Sequence, residues 1–187
     1  MSQYSFICPR LHNQFVRGAL VLLIAGFIFL MSAQPADASS DQSLFFGTGL
    51  AYFLLWLPFS HEVLSHLGLP TVVVNLAPAL DYAVRKTAHF SEYAALGFAL
   101  AAWMRHTTIF HRHAYWLAVA VGAFYAVSDE WHQSFVPGRS CELTDMLIDT
   151  SGCLTGVLVY FSIKILMIFW KNKKCDPSLP AGSTANA

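Results

Sequence analysis

The chain has 187 residues, 56% of them hydrophobic and 12% charged, with a mean hydropathy of +0.50. Soluble domains carry about 25% charged residues, so this composition excludes an ordinary soluble globular protein and fits a small polytopic membrane protein. Eleven basic and eleven acidic residues cancel to a formal net charge of zero, an average that conceals a spatial asymmetry; no nucleic-acid partner is expected.

The first expected span is "FVRGALVLLIAGFIFLMSA", residues 15–33, closed by the polar stretch "QPADASSDQS". Its length suits about 30 Å of hydrocarbon. Arg10 and Arg17 ahead of this apolar run, with "ADA" at 36–38 behind it, also resemble a secretory signal cleaved after residue 38. In either reading the following segment lies outside. The apolar run 44–57 is short for a crossing and is stopped by Pro58, which suits an interfacial amphipathic helix. His61 and His66 flank an interfacial turn and read as solvated. Further spans are expected at 87–104, 114–133 and 143–163, the last with a hydrophobic pattern continuing to Trp170. Between them, "RHTTIFHRH" at 105–113 reads as a basic, lipid-facing loop despite its three histidines. The expectation is an all-α polytopic membrane helical bundle of about four transmembrane helices plus the interfacial helix. It divides into a cytoplasmic N-terminus (1–14), a transmembrane domain (15–170) and a disordered cytoplasmic tail (171–187). Cys8, Cys141, Cys153 and Cys175 show no C-x-x-C spacing and no disulfide or zinc framework.

Basic residues set the expected orientation. With both termini inside, Arg10, Arg17, Arg105, Arg112, Lys171, Lys173 and Lys174 are cytoplasmic and Lys164 snorkels towards them. Only Arg85, Lys86 and Arg139 are then left outside, whereas every acid except Asp176 falls there. The polar chemistry of this cell-membrane protein is expected to face the extracytoplasmic space.

Three segments bring that chemistry to one level. "RKTAHFSEY" places Arg85, His89 and Glu92 on one helical face, with Tyr93 a turn beyond His89. "SDEWHQSFVPGRS" follows an apolar run and carries Asp129, Glu130, His132, Gln133 and Arg139, with Tyr125 a turn deeper. Asp145, Asp149, Gly152 and Gly156 form a stripe on the last span. An ionisable group on a membrane helix costs about 2.5–3.5 kcal/mol on insertion scales unless it is paired or faces a wet cavity. Partners are therefore expected for His89, Glu92 and Asp149, and Arg85, Lys86 and Arg139 are the available cations. A salt-bridged plug that fixes helix register accounts for any single pair; three acids and two histidines from three helices exceed that need. Pro137-Gly138 signals a turn that fixes where Arg139 projects, and arginine there suits bidentate capture of a phosphate or carboxylate.

"RKTAHFSEYAALGF", "YAVSDEWHQSFVPGRS" and "LTDMLIDTSGCLTG", in this order and spacing, resemble the VanZ-like membrane protein family over roughly residues 16–163. The family's pattern falls on Lys86, His89, Phe90, Tyr93, Asp129, Glu130, His132, Gln133, Pro137, Gly138, Arg139, Asp145, Asp149 and Gly152. "MSAQPADASS" at the end of the first span also resembles the family's serine-and-glutamine stretch, with alanine in "MSAQP" where a second serine is common. The resemblance implies a cell-envelope location and an association with low-level resistance to teicoplanin-type glycopeptides; it supplies no reaction.

Two functional readings stay open. In the first, a membrane-embedded enzyme acts on a polar headgroup. His89, Glu92, Asp129, Glu130, His132, Asp145 and Asp149 are the catalytic candidates, and Lys86, Tyr93, Gln133 and Arg139 bind the ligand. Asp129, Asp145 and Asp149 with a histidine would supply ligands if a metal takes part; no cofactor is identified. In the second, the pocket binds or transports without bond chemistry, or its polar residues only glue helices together. The partners expected are membrane lipids and, at the pocket, an anionic lipid or cell-wall precursor headgroup.

Overall fold

A computed structural model of the chain describes residues 7–56, 70–107 and 109–174. Among the described residues it is all helix: α1 (Ile7–Ser32), α2 (Ala36–Trp56), α3 (Pro70–His106), α4 (Ala114–Gln133) and α5 (Leu143–Lys174). Three residues, ending in Pro35, join α1 to α2, and proline cannot continue the first helix without losing a hydrogen bond. The second helix starts at Ala36, eight residues before the apolar run at 44. Asp37 in its first turn complements the helix dipole and makes this polar stretch helical rather than a loop. His61, His66 and Pro58 lie outside the described residues.

The expected span at 87–104 is the second half of a longer helix. Pro70 stands at the first helical position, where its missing N–H is harmless, and the 37 residues of α3 extend about 55 Å. Asp81, Arg85 and Lys86 are thereby held on a rigid rod instead of a loop. At the other end of the chain α5 continues through Lys174, four residues into the segment read as tail.

Two described helices are long and apolar enough to cross a membrane, over Asn13–Ser32 and Leu143–Asn172. Both turn large apolar side chains outward, Leu22 and Leu30 on α1 and Leu158 and Ile165 on α5. Small residues fill buried positions on the other two long helices of the bundle, Ala99 and Ala101 on α3 and Ala118, Gly122 and Ala126 on α4. α3 is the hub and packs against each of the other four helices.

Its closest neighbour is α5, and glycine sets that approach. A Cβ added at Gly152 would overlap the Phe90 carbonyl oxygen, and one at Gly156 the Ala94 carbonyl oxygen. Backbone therefore rests on backbone, as small-xxx-small packing allows. Cys153 between them covers Gly97 with its backbone and Gly122 with its sulfur, so the same turn of α5 also seats α4. One turn before Gly152, Asp149 is carried into the bundle beside His89.

The two ends of the bundle differ in charge. Gln14 donates to the His106 carbonyl (2.7 Å) and Arg105 to the His111 carbonyl (3.0 Å), closing an end that also holds Arg17. Lys164 lies over the Tyr160 ring at 5.5 Å and shares a cavity with Arg105, so its charge does reach the basic end. The acids collect at the opposite end.

Candidate functional site

The loop between α4 and α5 organises the acidic end. Gly138 has φ +75°, a conformation glycine adopts without the penalty other residues meet. With Pro137 before it and the Arg139 N–H donating to the Val136 carbonyl (3.1 Å), the loop has the signature of a type II turn. The Ala36 N–H donates to the Pro137 carbonyl (3.3 Å), which ties this turn to the start of α2. Glu130 is fully buried, and its carboxylate accepts the Glu142 N–H at 2.9 Å, fastening the start of α5 to the end of α4.

Arg139 is placed by this turn. Its Nε donates to the Gln34 carbonyl (3.1 Å) and its Nη1 to Gln133 Oε1 (3.0 Å). Gln133 Nε2 in turn donates to Asp129 Oδ2 (3.3 Å), and Ser32 Oγ donates to Asp129 Oδ1 (2.6 Å). Ser32, Asp129 and Gln133 are buried, so a continuous polar chain runs from the end of α1 through α4 to the loop. No carboxylate among the described residues comes within 4.0 Å of the Arg139 guanidinium. Burial and the neighbouring Arg85 lower its pKa from the ordinary value, opposed by Asp129, Glu130 and Asp145.

The other two cations are engaged. Arg85 pairs with Asp81 one turn earlier (3.0 Å), and Lys86 pairs with Asp145 and, at 3.5 Å, with Glu142. Among the described residues none of these cations pairs with His89, Glu92 or Asp149, for which partners were expected; His89 and Asp149 instead face each other.

Asp149 is fully buried, and neither carboxylate oxygen has a hydrogen-bond partner among the described residues. His89 Nδ1, also buried and unpartnered, stands 3.6 Å from Asp149 Oδ1. One ligand atom each from His89, Asp129 and Asp149 fall within 4.8 Å of one another. Asp145, expected among such ligands, is taken by Lys86. His132 is turned away from this group: its ring stacks on Phe29 of α1 at 4.4 Å. Glu92 faces the α1 side of α3, beside Ser32 and Ser43. The fully buried Tyr93 hydroxyl makes no hydrogen bond within 3.5 Å among the described residues, whereas that of Tyr125 donates to the Ala25 carbonyl at 2.6 Å.

Two cavities open at this end. One of about 160 Å³ is lined by Arg85, Lys86, His89, Gln133, Arg139 and Asp145, among others. A neighbouring one of about 110 Å³ reaches Ser32, Ser43, Arg85, His89, Glu92 and Arg139. A larger cavity, about 610 Å³, lies at the basic end against Arg17 and Arg105, away from every acid of the cluster. Ser32 and Gln34 were not among the expected site residues; the signal for them was the resemblance of "MSAQPADASS" to the family's serine-and-glutamine stretch.

The profile of the VanZ/LLP1 family matches residues 18–168. No curated protein and no solved structure matches the chain. The family match spans well over half the chain and accords with a membrane protein whose two outer helices are apolar enough to cross a bilayer: the chain belongs to the VanZ/LLP1 family.

Proposed function

We propose that this is a multi-pass membrane protein whose polar end binds one anionic group, a phosphate or carboxylate carried by a lipid or a lipid-linked cell-wall precursor. In this reading α1, the second half of α3, α4 and α5 cross the bilayer, both termini are cytoplasmic, and the Arg139 end is extracytoplasmic. The observation that carries it is Arg139: a guanidinium fixed by Gln34 and Gln133, without an acidic partner among the described residues, on a cavity it shares with Lys86 and His89. A fixed, uncompensated guanidinium is what captures a phosphate or carboxylate.

Size narrows the ligand. Sites for drug-sized molecules run to about 300–1,000 Å³, so about 160 Å³ takes a headgroup and not a whole glycopeptide. Any role in teicoplanin tolerance then acts through an envelope lipid or precursor and not through the antibiotic. His89 is the acid or base candidate best placed to meet such a ligand, because it lines both small cavities.

A second reading, helix glue without a ligand, draws support from the Lys86–Asp145 pair and the Ser32–Asp129–Gln133–Arg139 chain, which knit helices together on their own. Native mass spectrometry of the protein in lipid nanodiscs separates the two, with wild type beside Arg139→Ala and Arg139→Lys. Retention of an anionic lipid by wild type, lost in Arg139→Ala at unchanged thermal stability and partly kept by Arg139→Lys, is expected. Equal lipid retention in all three, with Arg139→Ala merely less stable, rejects the binding site in favour of glue.

A further inference from the structure

We infer that His89, Asp129 and Asp149 form a binding site for one divalent transition-metal ion of the zinc or manganese class. The three residues come from α3, α4 and α5 and present ligand atoms within 4.8 Å of one another. Asp149 is 0% exposed with both oxygens unpartnered, and His89 Nδ1 is unpartnered as well. A buried carboxylate without a donor is among the costliest groups to leave unsatisfied, and the cations Arg85, Lys86 and Arg139 do not reach it.

Distance distinguishes a ligand pair from a hydrogen bond. The 3.6 Å between His89 Nδ1 and Asp149 Oδ1 is too long for the latter. Two ligands held at about 2.1 Å from a tetrahedral ion lie about 3.4 Å apart, which the observed separation nearly matches. Asp129 arrives already oriented, with Ser32 Oγ on one oxygen (2.6 Å) and Gln133 Nε2 on the other (3.3 Å). Such outer partners hold metal-binding carboxylates in place while lone pairs stay free for the ion.

The donor set selects the ion. Two carboxylates and a neutral imidazole match a 2+ charge; the imidazole favours zinc or iron over magnesium and calcium, and the two carboxylates also suit manganese. Three protein ligands leave a further position open. His89 also lines the Arg139 cavity and is common to both sites; Asp129 and Asp149 belong to the metal site alone, which does not require an anion.

The test uses the full chain in nanodiscs, stripped with EDTA and titrated separately with Zn²⁺ and Mn²⁺ against a chelating dye, with metal content read by elemental mass spectrometry. One ion per chain is expected, with affinity reduced about 10-fold or more in Asp149→Asn and Asp129→Asn and unchanged in Leu154→Ala, an outward position of α5 that is 43% exposed. Mn²⁺ bound to wild type should show nitrogen coupling by pulsed electron paramagnetic resonance, lost in His89→Gln. Stripped wild type that takes up neither ion overturns the site, and this arm holds even where an aspartate variant fails to fold. Wild-type affinity in both asparagine variants overturns it equally. Anionic lipid retention without metal uptake rejects the metal and leaves the proposed function standing; metal uptake without lipid retention does the reverse.

Discussion

Lys86, Asp145 and Glu142 allow the linkage between α3 and α5 to be measured. Lys86 is 17% exposed, Asp145 13% and Glu142 49%, so Glu142 is solvated and Asp145 is half-buried. Lys86→Met removes the cation and leaves the half-buried Asp145 without its partner. Breaking a buried pair from one side costs about 3–5 kcal/mol, and the remaining exposure puts the expected loss near the lower figure. Asp145→Leu is milder, because Lys86 keeps Glu142 at 3.5 Å and some water; a loss of about 1 kcal/mol is expected. The double variant replaces an ion pair with apolar contact and should lose no more than about 2 kcal/mol, against about 4 if the two changes were independent. Reversible unfolding in mixed micelles by dodecyl sulfate titration, followed by tryptophan fluorescence, measures all three. Additivity within about 0.5 kcal/mol would refute the pairing. If the double variant is stable, its lipid retention also shows whether the pair belongs to the headgroup site or only braces it.

Three further outcomes are expected. Ser32→Ala should lose about 1.5–3 kcal/mol in the same titration, because the buried Asp129 carboxylate forfeits its 2.6 Å donor; Ser32→Thr, which keeps the hydroxyl, should recover most of it. Gly156→Leu forces a side chain into the Ala94 carbonyl and the Phe98 amide and should destabilise by at least the 1–3 kcal/mol typical of overpacking, about the upper end here because backbone must move. The control Leu154→Ala, at an outward position 43% exposed, should stay within about 0.5 kcal/mol. Cys141 is an exposed free thiol on the loop beside Arg139, and Cys153 is buried. In a Cys8→Ser, Cys175→Ser background, a membrane-impermeant maleimide added to intact cells should label Cys141. Labelling only after the membrane is broken would invert the proposed orientation.

The sequence told a good deal about which residues gather and little about how they pair. Helical spacing put Asp129 and Gln133 on one face and they do bond, because an i, i+4 relation is fixed by the helix itself. Pro137-Gly138 likewise predicted a turn that the positive φ of Gly138 realises. Contacts between helices were another matter. Periodicity allowed His132 to point into the cluster, yet it stacks on Phe29, and it allowed Arg85 to serve Glu92, yet Asp81 on the same helix is nearer. Which face meets which neighbour depends on axial rotation and separation, and these follow from Gly97, Gly152 and Gly156 in combination. The start of α2 was obscured for a different reason: a polar helical turn with an acid at its beginning looks like a loop when apolar pattern is the only guide.

Pairing also decides between a plug and a site. A set of polar groups kept only to hold helices together gains nothing from members left without partners, because each unsatisfied buried group subtracts from the stability the others supply. Lys86 with Asp145 and Ser32 with Asp129 behave as such a set would, and Glu130 does so through one oxygen, which accepts the Glu142 amide, while Oε1 has no partner among the described residues. Asp149 does not: it is the most deeply enclosed acid at this end together with Glu130, and it has no donor on either oxygen. Arg139 is its counterpart at the rim, a cation held in place by neutral groups. An interior acid without a hydrogen-bond donor and an entrance cation without a carboxylate in contact, among the described residues, with His89 on the cavity wall between them, are what a bundle would keep if a cation and an anion bind there.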